Sequence, residues 1–229
     1  MSPRARQFLA LAILALVFGV TAARSGSTLL ARNAPEPFPA TLAVAVAAAP
    51  NIYANEPEVR VQQVIASMNA MWQQAFLTID DEYELPRIEP RTTRADSDCG
   101  KGTDGWAGLY CPGEERIVID VGDHLVRRAA VGDAQSDDLL GYVLAHEVGH
   151  HVQAERGLSG FRNQDDVVKA ELHAQCLAGV WGRAAGKAVP PVETYVADAD
   201  HGDVATQRHW LETGHASGKP AACNAIWTG

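Results

Sequence analysis

The chain has 229 residues, of which 47% are hydrophobic and 21% charged, with 28 acidic against 19 basic side chains. This composition is that of a globular protein and excludes disordered or collagen-like chains. The net charge of −9 argues against a partner with a phosphate backbone, so we expect no nucleic acid partner.

The first 23 residues have the layout of a targeting segment. Arg4 and Arg6 precede an unbroken apolar run from Phe8 to Val20, which small residues follow. The run is shorter than the about 20 residues that span a bilayer comfortably, and this is typical of a secretory signal peptide. An uncleaved membrane anchor through residues 8–23 is the alternative. Both predict that the rest of the chain lies outside the cytoplasm, whether secreted, periplasmic or anchored to the membrane.

Residues 24–50 are rich in Ser, Gly, Pro and Ala without sustained periodicity, so we predict a flexible tether there. The folded domain is then expected over residues 51–229. It opens with Asn55 as the predicted N-cap of an amphipathic helix that runs to about Leu77. The apolar stripe of this helix predicts that it packs into the core.

The pattern that follows predicts strand before helix. Residues 86–121 carry proline, glycine and β-branched residues, and residues 116–121 are typical of a buried strand. Helical periodicity follows in three segments, at about residues 137–156, 166–185 and 204–213. Strands followed by helices predict an α+β fold in a single domain.

The second of these four predicted helices contains the pattern His146-Glu-Val-Gly-His150. Residues four apart are neighbours on a helix, so the two imidazoles can reach one metal ion. Glu147 points about 100° away from His146, beside the metal rather than at it. A base in that position can take a proton from metal-bound water. The pattern therefore predicts a zinc hydrolase, and the alternative is a helix with two surface histidines.

A catalytic zinc site needs a third protein ligand and an open fourth position. The candidate is Glu171, which lies 21 residues after His150 on the next predicted helix. Two antiparallel helices would bring it opposite the histidine pair. A solvent-facing glutamate is the alternative interpretation.

Two segments carry a resemblance to a known family. The stretches His146–Gln153 and Glu171–Trp181 resemble the signature of the bacterial neutral zinc metallopeptidase family, and the similarity extends over roughly residues 57–225. The resemblance implies a zincin-like fold, in which the active-site helix and the third-ligand helix pack with a small β-sheet and the N-terminal backing helix. It also implies a Zn²⁺ cofactor, Glu171 as third ligand and a peptide or protein substrate. Shorter matches are Cys99-Gly100, Tyr110-Cys111-Pro112, Val118-Ile-Asp120, His201-Gly202, Gln207-Arg208, Trp210 and Ala221-Ala222-Cys223.

One position departs from the family pattern. Where the family has an aspartate four residues after the third-ligand glutamate, this chain has Gln175. Placed at i+4 from Glu171, Gln175 can reach a zinc-bound imidazole, but a neutral amide offers that imidazole no charge. We therefore expect weaker zinc binding or lower activity than an aspartate would give.

The six remaining histidines need a separate interpretation. The resemblance implies that His201 matters, and it could donate a hydrogen bond to the oxyanion of the reaction, with Tyr195 as a rival. A turn or capping role is the alternative for both. His151 is expected in an outer or solvated position, and His173 is expected to face away from the metal. The others are expected to be exposed polar residues: His124, His209 and His215.

Four cysteines in an exported chain indicate two disulfides, and three pairings are open. We favour Cys99 with Cys111, which would close a glycine-rich loop. Cys176 would then pair with Cys223 and tie the third-ligand helix to the C-terminal segment.

The sequence as a whole predicts an extracytoplasmic zinc metallopeptidase in which His146, His150 and Glu171 bind zinc and Glu147 activates the zinc-bound water. Two alternatives stay open. Because of Gln175, the chain could be a zinc-binding scaffold of the same fold without turnover. An amidase that acts on cell-wall peptides would share the chemistry and differ only in substrate.

Overall fold

The computed structural model describes residues 37–44, 57–91, 107–122, 132–158, 162–191, 195 and 197–228. These residues belong to one unit of the chain, Pro37–Gly229. The predicted targeting segment, and Asn55 as the cap of the first helix, lie outside the described residues. Within the described residues, no helix combines the length and the apolar character needed to cross a bilayer.

The described residues form an α+β fold, which confirms the fold class. They contain five α-helices and three strands that form one mixed sheet. In chain order the elements are α1 (Pro57–Leu77), β1 (Arg87–Arg91), β2 (Gly108–Cys111), β3 (Arg116–Asp120), α2 (Asp133–Glu155), α3 (Gln164–Ala184), α4 (Val204–Ser217) and the single turn α5 (Ala225–Thr228).

The sheet has the strand order β1-β3-β2, with the predicted strand β3 in the centre. β1 runs parallel to β3, with Arg87 opposite Arg116, and β2 runs antiparallel, with Tyr110 opposite Ile117. Strand β2 contacts helix α2, which carries the two histidines of the predicted site. The sheet therefore lies directly against the helix that carries these two histidines.

The apolar stripe of α1 lies in the core, as its periodicity predicts. Its buried members are Val61, Ile65, Met68, Met71, Trp72 and Phe76, each at most 2% exposed. Burial of large aliphatic and aromatic side chains stabilises the domain by about 1.5–3 kcal/mol per residue.

Helices α2 and α3 approach closely at a glycine in the metal-binding pattern. A Cβ built on Gly149 would lie only 3.1 Å from the Cα and the carbonyl oxygen of Ala174. A side chain at this position would push the two helices apart. Gly149 therefore lets α3 bring its polar residues within reach of the histidines on α2.

The tether prediction for residues 24–50 is wrong for residues 37–44. Phe38 and Leu42 are 2% and 0% exposed and pack in the core. Asn224 pairs with Phe38 through its side chain, which accepts from the backbone N–H and donates to the carbonyl. The favourable free energy of burying two large apolar side chains outweighs the loss of conformational entropy when this short segment becomes ordered.

The predicted helix bounds shift by a few residues. Helix α2 begins at Asp133 rather than 137, because its polar first turn carries none of the apolar periodicity on which the prediction rests. Helix α3 begins at Gln164, and the side chain of Asn163 caps it by accepting from the Asp166 backbone N–H. Helix α4 continues to Ser217, four residues past the predicted end, and Gly218 follows in the left-handed conformation.

The disulfide between Cys176 and Cys223 is present, which confirms that pairing. It joins α3 to the C-terminal segment, as expected. Cys111 is also disulfide-bonded. Its predicted partner Cys99 lies outside the described residues, so that pairing stays a prediction.

Candidate metal centre

Three of the predicted site residues converge between helices α2 and α3. His146 and His150 lie one turn apart on α2, and their Nε2 atoms are 3.1 Å apart. The Oε2 atom of Glu171, on α3, lies 2.9 Å from Nε2 of His146 and 3.0 Å from Nε2 of His150. The three side chains could hold a metal ion.

The donor set fits zinc. Two imidazole nitrogens and one carboxylate oxygen are ligands that catalytic zinc sites use, with a fourth position left for water or substrate. Ligand atoms around tetrahedral zinc are separated by about 3.3 Å, close to the spacing of these donors. The side chains of His146, His150 and Glu171 are only 12%, 14% and 18% exposed. The site is therefore shielded from solvent on most sides.

Two glutamines orient the imidazoles. The Nδ1 of His146 lies 3.1 Å from Oε1 of Gln175, and the Nδ1 of His150 lies 3.1 Å from Oε1 of Gln153. An amide oxygen only accepts hydrogen bonds, so each Nδ1 carries the proton and donates it. Each Nε2 then presents its lone pair toward the centre of the cluster. This is the tautomer that a metal ligand needs.

Gln175 reaches a histidine of the cluster, as its i+4 spacing from Glu171 predicts. The sequence alone did not identify Gln153 as a residue of the site. Gln153 is 1% exposed. Its position three residues after His150 on the same helix was the available signal, because residues three apart share a helix face.

The charges of the cluster favour a cation. Burial disfavours the charged form of Glu171, but His150 and the hydrogen bonds from both imidazoles outweigh it and hold the pKa of this carboxyl far below its ordinary range. Burial likewise opposes the charge of His150, yet the adjacent Glu171 carboxylate raises its pKa to about 9. A divalent metal can take the place of the proton that this pair attracts.

Glu147 stands beside the three donors and is not one of them. It is 7% exposed, and burial raises the pKa of its carboxyl above the ordinary value. The charges of His146 and His150 act in the opposite direction. A buried carboxyl whose proton affinity is raised is suited to accept a proton and to pass it on.

His201 lies at the edge of the same cluster. Its Nε2 is 3.4 Å from Oε2 of Glu171, and its ring centroid is 5.9 Å from that of His146. Its Nδ1 lies 2.9 Å from both carboxylate oxygens of Asp198, which also accepts from the His201 backbone N–H. Asp198 therefore fixes the ring so that Nε2 faces the site.

The rival Tyr195 is placed differently. Its hydroxyl is buried without a hydrogen-bond partner among the described residues. Among the described residues, therefore, its hydroxyl makes no hydrogen bond to Glu171 or to the two histidines.

Among the other histidines, the predictions for His151 and His215 need correction. His151 is buried rather than solvated, with Nε2 2.7 Å from the Glu84 carbonyl and Nδ1 3.1 Å from the Tyr110 hydroxyl. His173 is also fully buried, and desolvation lowers its pKa to about 3. His215 is half-buried and donates to the Lys187 carbonyl. All three rings lie against backbone carbonyl groups or apolar side chains of other segments. The helical periodicity of the sequence does not predict such contacts.

The last two histidines add nothing to the site. His209 is exposed on α4, as expected. His124 lies outside the described residues.

Comparison with known proteins agrees with this arrangement. Residues 4–199 match the family described as "Putative neutral zinc metallopeptidase". The chain belongs to this family. The match includes both ligand helices, α2 and α3, and confirms the resemblance that the sequence motifs carry.

Two similar proteins carry names that describe them as uncharacterised. YpfJ of Escherichia coli K12 is 28% identical over 205 aligned residues, covering 71% of this chain and 69% of that protein. Rv2575 of Mycobacterium tuberculosis H37Rv is 24% identical over 202 residues, covering 70% and 67%. No solved structure matches the chain.

Proposed function

We propose that this protein is an extracytoplasmic zinc metallopeptidase with a zincin-like fold. The observation that carries the proposal is the convergence of His146, His150 and Glu171 with their donor atoms within 3.1 Å of one another. Glu147 stands beside them as an unligated, buried carboxyl. A purely structural metal site has no use for such a base.

His146 and His150 would hold the zinc through Nε2 and Glu171 through its carboxylate. Zinc in such a site supplies Lewis-acid chemistry, because it polarises a carbonyl and lowers the pKa of water toward about 7. The remaining chemistry falls to side chains of the chain itself.

Glu147 would act as general base and then as general acid. Its carboxylate takes a proton from the attacking water and returns it to the amine that leaves when the peptide bond breaks. Burial supports both roles, since it raises the affinity of this carboxyl for a proton. When both of its ring nitrogens carry a proton, His201 would donate a hydrogen bond from Nε2 to the oxyanion, while its Nδ1–H donates to Asp198 and fixes the ring.

Two observations support a location outside the cytoplasm. The N-terminal sequence has the pattern of a secretory signal or a membrane anchor through residues 8–23. Cys176 and Cys223 form a disulfide, and such bonds persist in oxidising compartments.

The experiment compares peptide turnover and zinc content in the wild type and in Glu147→Gln. We expect the variant to keep its zinc and to lose turnover by about 10²–10⁴-fold, the contribution of a general base. Glu155→Gln, at the end of the same helix, is the matched control and should behave as the wild type. Turnover by Glu147→Gln at the wild-type rate would refute the mechanism.

A zinc-binding scaffold is the second candidate, because the neutral Gln175 stands beside His146. It predicts a wild type that holds zinc but turns over no peptide, cell-wall peptides included. The same comparison therefore separates the two candidates.

A further inference from the structure

Gln153 links the two helices that carry the proposed ligands. It extends from α2, and its Oε1 lies 3.1 Å from Nδ1 of His150 on the same helix. Its Nε2 donates to the carbonyl of Ala170 on α3, at 2.7 Å, and lies 3.1 Å from Nδ1 of His173. Ala170 immediately precedes Glu171. One side chain thus contacts a ligand histidine and the backbone next to the third ligand.

The orientation of this amide follows from its partners. The Ala170 carbonyl only accepts, so the atom facing it must be the NH₂ group. The same NH₂ group cannot accept, so Nδ1 of His173, 3.1 Å away, accepts its second N–H. The amide oxygen is left to face His150, whose Nδ1–H donates to it.

The burial of Gln153 makes these bonds costly to lose. The side chain is 1% exposed, and His173 beside it is 0% exposed. A buried polar group without its partner is strongly unfavourable, and a flipped amide would place its oxygen against the Ala170 carbonyl oxygen and leave Nδ1 of His173 without a donor. The two α3 contacts therefore keep the acceptor aimed at His150.

We propose that Gln153 is a positioning residue for zinc. It holds the His150 imidazole in the Nδ1–H form with Nε2 aimed at the metal, and it keeps α2 in register with Glu171 on α3. This inference rests on the zinc site of the proposed function. It goes beyond that function, because a second neutral glutamine, not only Gln175, sets the metal affinity.

The test measures the Kd for zinc by competition with a chromogenic chelator, and it measures thermal unfolding of the metal-free protein. Gln153→Met keeps the size of the side chain and removes both the acceptor and the donors. Gln153→Glu keeps an acceptor for His150 and loses the donors. Gln207→Met is the matched control, because it removes another buried glutamine, whose side chain donates to the Gly202 carbonyl.

We expect Gln153→Met to raise the Kd for zinc by about ten- to a hundredfold, the usual effect of losing the partner of a ligand histidine. The Kd of Gln153→Glu for zinc should stay within about tenfold of the wild-type value. Its metal-free form should unfold at a lower temperature than the metal-free wild type, because the two contacts with α3 are lost. If Gln153 served only to pack the two helices, both variants would bind zinc more weakly and to the same extent. That result would overturn the proposal. Wild-type affinity in Gln153→Met would overturn it as well.

A second measurement covers the case in which the variants do not fold. Nitrogen-15 NMR of the histidine rings in the zinc-loaded wild type should show His150 bound through Nε2 with a proton on Nδ1. Zinc on Nδ1 of His150, or a wild type that binds no zinc, would refute the assignment. Because neither readout uses hydrolysis, a zinc-bound but inactive wild type would refute the proposed function and leave this inference standing.

Discussion

Gly108 on strand β2 lies against the side chain of Glu147. A Cβ built on Gly108 would come within 2.8 Å of Cγ and 2.9 Å of Oε1 of Glu147. Real Cβ atoms do not approach other atoms so closely, so the strand passes beside the proposed base only because residue 108 has no side chain. The sheet therefore sets the position of the base on α2.

Replacing Gly108 with alanine should displace Glu147 and leave the zinc ligands in place. We expect kcat to fall by about 10²-fold, since an error of about 1 Å in a catalytic group costs this much, while the zinc content stays at the wild-type level. Gly113→Ala is the control, because nothing lies within 4 Å of a Cβ at that position. A Gly108→Ala enzyme with wild-type kcat would show that Glu147 does not depend on this contact.

The neutral amide of Gln175 should limit how firmly zinc is held. Gln175→Glu keeps the length of the side chain and adds a negative charge next to the His146 ring, which strengthens zinc binding. We expect zinc loss to a chelator to slow by about tenfold. Gln175→Asp introduces the residue typical of the family and should also slow zinc loss, although its shorter side chain reaches less far toward His146. Zinc retention unchanged in both variants would contradict this interpretation.

His201 should matter for turnover and little for zinc. Alanine at this position removes the proposed oxyanion donor, and we expect kcat to fall by about 10²–10³-fold at unchanged zinc content. His209→Ala, at an exposed position on α4, is the control. If the His201 variant loses zinc instead, His201 acts as a ligand and the assignment of its role is wrong.

The disulfide between Cys176 and Cys223 should stabilise the whole domain. It closes a loop with a sequence separation of 47, and removing such a constraint costs about 4 kcal/mol in the chain-entropy treatment. Urea unfolding of the Cys176→Ala, Cys223→Ala double variant measures the change in the free energy of unfolding. A loss below about 1 kcal/mol would show that packing of α3 against the C-terminal segment suffices without the bond.

The sequence predicts those parts of the molecule that depend on local spacing. His146 and His150 converge because they are one helical turn apart, and Gln175 reaches the site because it is one turn from Glu171. The convergence of Glu171 itself depends on how α3 packs against α2. The order of the helices makes Glu171 a candidate but leaves a solvent-facing glutamate open, and the family resemblance favours the ligand.

The missed parts depend on contacts between segments distant in sequence. Strand β1 contains Pro90 and three charged residues, which disfavour a strand prediction, yet it forms at the edge of the sheet, where proline is tolerated. Phe38 stands between two prolines, and Leu42 begins only a short apolar alternation that ends at Val46, so only the folded core reveals their burial. Gln153 likewise gains its meaning from a carbonyl on another helix.

The most direct test of the proposed metal centre is the zinc content of purified protein after exhaustive dialysis, measured by elemental analysis. We expect about one zinc ion per chain in the wild type and in the control Glu212→Ala, and little zinc in Glu171→Ala, which lacks the third ligand. A Glu171→Ala variant that keeps the full zinc content, or a wild type that contains none, would contradict it.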